Sequence, residues 1–310
     1  MVLIVVGCGG DGVRAVRTAR SDGPQLYEAT SVVLESATHG PQLCHTVLDS
    51  LPPQCGGIDL IGWNWQSVEG EESVGGTTWG SYHVVGTWDG QQLTLTDAPG
   101  PPEAGLPPPV DFTTPCPEPQ GGWTAVEPAR ATDFDLDALA VAARADPGFA
   151  GLWLDQSRNP AHADGSTDPS DEPLLNDPTR LIVNIRTTGD IEMVTDTLRH
   201  VWGGALCVSG AEHTYAALGA IQTQLTDPEV LSSGLNERDN VVDVTVVVAD
   251  ETTRQQFALR FGNAARVQGW LTEVDARDRK PTSPVPPAYT TSTRAVDTSS
   301  QPASVGAVLS

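Results

Sequence analysis

The sequence lacks the features that most directly reveal a function. Its 310 residues contain no run of 18 apolar residues, so no helix is expected to span a bilayer. Neither a G-x-S-x-G nor an H-E-x-x-H motif occurs. We therefore expect neither an α/β-hydrolase nor a zinc metalloprotease, and we favour binding over catalysis. The six histidines share no spacing and stand at positions 39, 45, 83, 162, 200 and 213.

Positive charge is also scarce. The chain has 17 Lys and Arg residues against 40 Asp and Glu residues, which gives a net charge of −23. Because no stretch is basic enough to create a local positive field, nucleic acid and anionic lipid surfaces are not expected partners. Apolar residues make up 39% of the chain and eight are Trp, which is enough for one large packed core or two small ones.

The first residues favour an export signal. Val5-Val6-Gly7-Cys8 is similar to a lipobox, in which Cys8 is acylated after cleavage and the following glycines form a tether. A complete signal also needs a basic segment and a longer apolar segment, and only seven residues precede Cys8. We therefore expect the true start to lie upstream.

Two alternatives exist for the same segment. Gly7, Gly9 and Gly12 fit the G-x-G-x-x-G pattern of a dinucleotide-binding turn, with Glu35 at the position of a ribose-binding acid. Residues 36–98, however, contain Pro-rich turns and hairpin signals where a Rossmann sheet needs alternating strands and helices, so no cofactor is expected. The other alternative is an N-terminal end without fixed structure.

The five cysteines indicate in which redox compartment the protein resides. Setting Cys8 aside leaves an even number, which is consistent with two disulfides in an oxidising compartment. The most natural local pair is Cys44 with Cys55, which would leave Cys116 for Cys207, although four cysteines allow three connectivities. A rival metal site would combine Cys44 and Cys55 with His39 and His45, but this spacing matches no zinc pattern.

An acidic stretch raises the question of calcium. It lacks the alternate spacing and the mid-loop glycine of an EF-hand, so we expect a solvated loop and no metal. Its acidic residues are Asp164, Asp168, Asp171, Glu172 and Asp177.

The sequence predicts an α+β protein with two folded domains. Strand-like segments and the hairpin turn Asp89-Gly90 predict a small antiparallel, barrel-like β-domain. A cluster of prolines follows it and predicts a linker. Mixed helix and strand patterns then predict a ferredoxin-like α+β sandwich with its helices on one face. The predicted division is 1–29 leader and tether, 30–98 β-domain, 99–125 linker, 126–276 α+β domain and 277–310 disordered tail.

Local patterns predict individual elements. Capping residues predict helices beginning at Thr132, with Asp135 completing a capping box, at Ser209 with Glu212, and at Asp250, the last helix ending at Gly262. A further helix is predicted to follow Gly189-Asp190. A strand over 58–65 would turn Trp63 and Trp65 to one side. The nearly all-β-branched segment Val241–Ala249 predicts a central strand buried on both faces.

Four of the eight tryptophans lie in the predicted β-domain. If Trp63, Trp65, Trp79 and Trp88 were exposed on one sheet face, they would form a stacking platform for sugars or peptides. The rim acceptors would then be Glu71, Glu72 and Asp89. The alternative is that these rings form the core of a domain with few other large apolar residues.

Several segments together resemble an uncharacterised family of exported actinobacterial proteins and lipoproteins. The resemblance covers roughly residues 30–275 and implies export and paired cysteines, but it brings no activity. The segments are Gly40–Cys44, Leu51–Gly57, Gly62–Trp65, Trp79–Tyr82 and Val201–Cys207.

A second resemblance concerns Phe149–Asp155 and Arg180–Asn184. These segments are similar to the folding pro-regions of bacterial secreted serine proteases, which also place a Trp-containing strand beside an apolar strand after a helix. Because the 310 residues contain no protease domain, the resemblance implies an inhibitor or a foldase that acts in trans.

The expected function is that of an exported, envelope-anchored, non-enzymatic binding protein. It would lie at the outer face of the cell membrane or outside the cell, contact the membrane only through a lipid on Cys8, and bind a protein or carbohydrate of the cell envelope. The alternatives are a pro-region-like inhibitor or foldase, and an NAD-binding enzyme that uses Gly7, Gly9 and Gly12.

Overall fold

The computed structural model describes residues 24–102, 110–159 and 172–274, which form a sheet-rich mixture of strands and helices. Cys8, Gly7, Gly9, Gly12, most of the acidic stretch and the predicted tail lie outside these residues. The strands are β1 (Tyr27–Ser36), β2 (His39–Cys44), β3 (Ile58–Ile61), β4 (Glu72–Val74), β5 (Thr77–Trp88), β6 (Gln92–Leu95), β7 (Phe149–Asp155), β8 (Ile182–Thr187), β9 (Ala205–Gly210), β10 (Val230–Asn236), β11 (Val241–Val248) and β12 (Ala265–Glu273). The α-helices are α1 (Asp133–Ala145), α2 (Glu172–Leu175), α3 (Ile191–Arg199), α4 (Tyr215–Gln222) and α5 (Glu251–Phe261).

Five strands close into a barrel-like sheet in the order β1-β2-β3-β6-β5. The ring closes because β1 pairs with β2 through its C-terminal half and with β5 from Tyr27 to Glu35. All neighbours are antiparallel except β3 and β6, which are parallel. A Rossmann sheet would need alternating strands and helices after the N-terminal glycines. Five of the strands between Tyr27 and Leu95 form this barrel instead. The buried side chains of its core include Val33, Leu43, Leu60, Tyr82, Val84 and Leu93.

The first and the last strands of the described chain are neighbours. Tyr27 of β1 pairs with Glu273 of β12, and the amide of Val274 donates to the carbonyl of Leu26 at 2.9 Å. The sheet β10-β11-β12 thereby joins the ring in one nine-stranded sheet. Residues separated by almost the whole described chain thus hold the two folded parts together.

The C-terminal part contains the same supersecondary unit twice. In α1-β7-β8-α3-β9, β7 and β8 are antiparallel, with the one-turn helix α2 in the connection between them, and α3 crosses over to the parallel strand β9. In α4-β10-β11-α5-β12, β10 and β11 are antiparallel and α5 crosses over to the parallel strand β12. We call these the two αββαβ units. They do not confirm the expected single ferredoxin-like sandwich, because their strands lie in two separate three-stranded arrays.

Each unit buries its helices against one face of its own strands. Leu139 of α1 and Leu198 of α3 pack on β8, and Leu218 of α4 packs on Val242 and Val244 of β11. Apolar positions spaced three or four residues apart along α1, α3 and α4 face these strands, so burial of this stripe holds these helices in place. α5 contributes only the partly buried Phe257 to the core of its unit.

Part of the predicted Pro-rich linker covers the other face of the first unit. Cys116 is bonded to Cys207 of β9, and Trp123 packs beside it against Ile182 and Ala205. The amide of Thr114 also donates to Asp155 at 2.7 Å. Residues 110–124 therefore contribute to the core of the unit.

The predicted strand through Trp63 and Trp65 is shorter than expected. It ends at Ile61, because Gly62 adopts a φ of +88° that turns the chain out of the strand. Asn64 then caps a 3₁₀ turn that begins at Trp65, its side chain accepting from the amide of Gln66 at 3.0 Å. Both tryptophans therefore lie in the connection after β3.

Two other local predictions were wrong. Ser209 does not cap a helix, because β9 continues to Gly210 and α4 begins only after its cap Thr214. β11 is the central strand of its array but buries one face only. On its other face Asp243 pairs with Arg266 of β12.

Candidate functional site

An aromatic cluster lies at the end of the barrel where β1 finishes. The ring centroids of Trp63 are 5.1 Å from Trp65 and 5.0 Å from Tyr82, with interplanar angles of 77° and 63°. The indole N–H of Trp65 donates to Glu35 at 2.6 Å. We call Glu35, Trp63, Trp65 and Tyr82 the barrel mouth. Its rings pack edge to face, which is a favourable geometry for aromatic pairs.

A glycine in β5 makes room for the cluster. A Cβ atom at Gly80 would lie 2.6 Å from the hydroxyl oxygen of Tyr82, so the Tyr82 ring lies over this position. Tyr82 itself is 3% exposed and points into the barrel. The tight turn at Gly62 brings Trp63 and Trp65 over the same end of the barrel.

Two polar atoms of the barrel mouth are buried without a partner. The indole nitrogen of Trp63 and the hydroxyl of Tyr82 form no hydrogen bond with any residue that the structure describes. Leaving such a group unpaired costs about 1–3 kcal/mol, and most buried polar atoms in proteins are paired. The mouth therefore holds two unused hydrogen-bonding groups at the edge of an aromatic surface.

Burial and negative charge keep the Tyr82 hydroxyl protonated. Burial raises the pKa of Tyr82, and the nearby carboxylate of Glu71 raises this pKa further. A phenol normally loses its proton near pH 10. At physiological pH, Tyr82 is therefore a hydrogen-bond donor as well as an acceptor.

The structure brings together two of the four predicted tryptophans. Trp79 lies on β5 opposite Leu34 of β1, and Trp88 packs on the barrel core near the other end of β5. Among the aromatic contacts of the described residues, neither ring touches the barrel mouth. Trp63 and Trp65 fit both the predicted core and the predicted stacking platform. Each is half-buried against the barrel core and keeps an exposed part.

The predicted rim acceptors differ in their surroundings. The carboxylate of Glu71 raises the pKa of Tyr82, and Glu72 is exposed on β4. Asp89 accepts the amides of Gln91 and Gln92 in the hairpin turn, and these hydrogen bonds lower its pKa. The carboxylate of Asp89 therefore stabilises the hairpin turn.

Sequence reasoning missed Glu35 and Tyr82 as members of the site. The alternation Ala29, Val33, Glu35 along β1 places this carboxylate on the side that faces the barrel interior. A charged residue at an inward position of a strand needs a partner, and that signal could have identified Glu35.

Two disulfides link the remaining cysteines. Cys44 is bonded to Cys55 and Cys116 to Cys207, each with Cα atoms 5.9 Å apart. The predicted disulfide bonds are confirmed, and the rival metal site is wrong because its two thiols are bonded to each other. Two disulfides of this kind indicate an oxidising, exported environment.

Other signals of function are few. Within residues 24–102, 110–159 and 172–274, no group of three or more His, Cys, Asp or Glu side chains is placed to hold a metal ion. No helix in the same residues is long and apolar enough to cross a membrane. Comparisons with protein-family models and with curated proteins find no match to this chain. The geometry of the barrel mouth and of the two αββαβ units is therefore the basis for function.

Proposed function

We propose that the protein is an exported, non-enzymatic binding protein that holds a carbohydrate of the cell envelope at its barrel mouth. A lipid on Cys8 would anchor it to the outer face of the membrane. The observation that carries the proposal is the pair of unused polar groups, Trp63 Nε1 and the Tyr82 hydroxyl, within three aromatic rings.

Carbohydrate chemistry fits this combination of groups. The C–H face of a sugar packs on an indole, and its hydroxyls both donate and accept hydrogen bonds. A sugar hydroxyl could accept from Trp63 and Tyr82, and Glu71 could accept from a neighbouring hydroxyl. Five-stranded barrels of the OB type, which bind oligosaccharides on the face of their second and third strands, offer a parallel, because Trp63 and Trp65 directly follow the third strand.

The position of Trp63 allows a ligand to reach the buried atoms. Trp63 lies in the connection after β3, so its ring can shift without breaking a hydrogen bond between strands. Trp65 is held by Glu35 and supplies a fixed wall. The proposal therefore assigns the adjustable contact to Trp63 and the fixed contact to Trp65.

Calorimetric titration tests this function, with tri-N-acetylchitotriose and mannotriose as the first probes. Trp63→Phe keeps an aromatic ring but removes the indole donor, so we expect binding to weaken by about tenfold, the value of one good hydrogen bond. Trp88→Phe is the matched control, because Trp88 packs on the same core outside the mouth. The proposal fails if neither probe binds, or if both variants weaken binding equally.

The second candidate is a pro-region-like inhibitor or foldase. It is supported by β7, which contains Trp153, follows α1 and lies antiparallel to the apolar strand β8. Chymotrypsin and subtilisin would be assayed, and then refolded from denaturant, with and without the protein. Slower hydrolysis would support inhibition and a higher refolded yield would support a foldase; no effect in either assay would remove this candidate.

A further inference from the structure

A cavity of about 360 Å³ lies where the two αββαβ units meet. One wall is the C-terminal end of α1 and the turn into β7, and the opposite wall is the start of α4 with the turn between β10 and β11. The cavity contains no residue of the barrel mouth. It is lined by Arg144, Ala145, Asp146, Pro147, Phe149, Tyr215, Ala216 and Glu237.

Two aromatic rings form the apolar part of this cavity. Phe149 of the first unit is 7% exposed, and Tyr215 of the second unit is 41% exposed. Their centroids lie 5.7 Å apart with an interplanar angle of 41°. A buried ring beside a half-open ring offers an apolar surface that a ligand can still reach.

The polar part of the cavity carries charges of both signs. Among the described residues, the guanidinium of Arg144 has one hydrogen bond, a long one of 3.5 Å to the carbonyl of Ala140, and no ion pair. Glu237 uses one carboxylate oxygen to accept the amide of Leu152, and Asp146 uses one to accept the hydroxyl of Thr187. Each carboxylate keeps a second oxygen that can accept further hydrogen bonds.

We propose that this cavity binds a zwitterionic α-amino acid with an aromatic side chain. Arg144 would bind the carboxylate, Glu237 and Asp146 would bind the ammonium group, and the side chain would lie against Phe149 and Tyr215. The volume lies at the lower end of the range for small-molecule sites, which suits a ligand of this size. Charge-assisted hydrogen bonds on both sides would select a zwitterion over a ligand with one charge.

Calorimetry with three related probes tests the proposal. L-Phenylalanine carries both charges, phenethylamine lacks the carboxylate, and 3-phenylpropanoate lacks the ammonium group. We expect L-phenylalanine to bind at least about tenfold more tightly than either of the others, the effect of one charge-assisted hydrogen bond. No saturable heat with L-phenylalanine at millimolar concentration overturns the proposal.

Two variants assign the roles of the residues. Arg144→Gln should weaken L-phenylalanine by about tenfold and leave phenethylamine unchanged. Glu237→Gln keeps an acceptor for Leu152 and should weaken L-phenylalanine and phenethylamine but not 3-phenylpropanoate. Arg158→Gln, which alters an exposed ion pair with Glu118, is the control and should change none of the three. The thermal transition of Arg144→Gln checks that the variant is folded. The assignment is overturned if the folded variant binds L-phenylalanine and phenethylamine more weakly by the same factor.

Discussion

The indole N–H of Trp65 donates to the carboxylate of Glu35 at 2.6 Å and joins the connection after β3 to the end of β1. These residues are thirty positions apart in the chain, and both are half-buried. A hydrogen bond to a charged acceptor is stronger than one between neutral groups. The contact therefore fixes one wall of the barrel mouth.

Replacing Glu35 by Ala leaves the indole N–H without its acceptor. We expect the free energy of unfolding to fall by about 1–3 kcal/mol, measured by urea denaturation. Glu35→Gln keeps an acceptor oxygen and should lose less. Glu72→Ala, at an exposed position of β4, is the control and should change stability by no more than about 0.5 kcal/mol. Equal losses for Glu35→Ala and Glu72→Ala would contradict the role given to this hydrogen bond.

The two disulfides should differ in their contribution to stability. Their cysteines are separated by 11 and 91 positions, and a longer loop restrains the unfolded chain more. Loop entropy predicts a loss of about 3 kcal/mol for the double serine variant at Cys44 and Cys55 and about 4.5 kcal/mol at Cys116 and Cys207. Urea denaturation of both variants checks the order, and a larger loss from the short loop would refute the entropic explanation.

A glycine beside β2 should not tolerate a side chain. A Cβ atom at Gly57 would lie 2.1 Å from the carbonyl oxygen of Leu43, so the backbone must shift in Gly57→Ala. We expect a loss of about 1–3 kcal/mol, typical of overpacking, seen as a lower thermal midpoint. Gly40→Ala is the matched control, because nothing lies within 4 Å of its Cβ position. Similar midpoints for the two variants would show that this close approach is not needed for the fold.

Acid should weaken the ion pair on the second unit. Burial opposes the charged form of Asp243, but hydrogen bonds from Arg266 and Asn236 at 2.7 and 2.9 Å outweigh it and lower the pKa of Asp243. The unfolded pKa is about 3.9, so the stabilisation is complete above this value and is lost as the pH falls through the lower folded pKa.

The wild type should therefore lose stability more steeply than Asp243→Asn as the pH falls from about 5 to 2. Urea denaturation at a series of pH values measures the difference. Asp49→Asn, in the exposed part of the Cys44–Cys55 loop, serves as the control and should follow the wild type. Parallel curves for the wild type and Asp243→Asn would contradict the assigned coupling.

Local sequence signals predicted much of the C-terminal part. The capping box of Thr132 and Asp135, the helix that follows Asp190, the cap Asp250 and the helix end at Gly262 are all confirmed. These signals work because a capping side chain bonds an amide only two or three residues away. The failure at Ser209 shows the limit, since pairing of β9 with β8 keeps that residue in a strand.

The barrel mouth was only half predictable. A strand pattern drew attention to Trp63 and Trp65, but the positive φ of Gly62 takes both out of the strand. Tyr82 and Glu35 belong to other strands, and no spacing in the sequence relates them to the tryptophans. Their meeting depends on pairing of β1 with β5 over about fifty residues.

By itself, the sequence determined the acidic charge, the even number of cysteines after Cys8, and the starts of the helices capped by Thr132 and Asp250. The tertiary structure alone decided that β1 closes a barrel with β5, that Tyr27 meets Glu273, and that one αββαβ unit occurs twice. The physical reason is distance along the chain. Caps and turns satisfy neighbouring backbone groups, whereas strand pairs between remote segments form only when the whole core buries its apolar faces together.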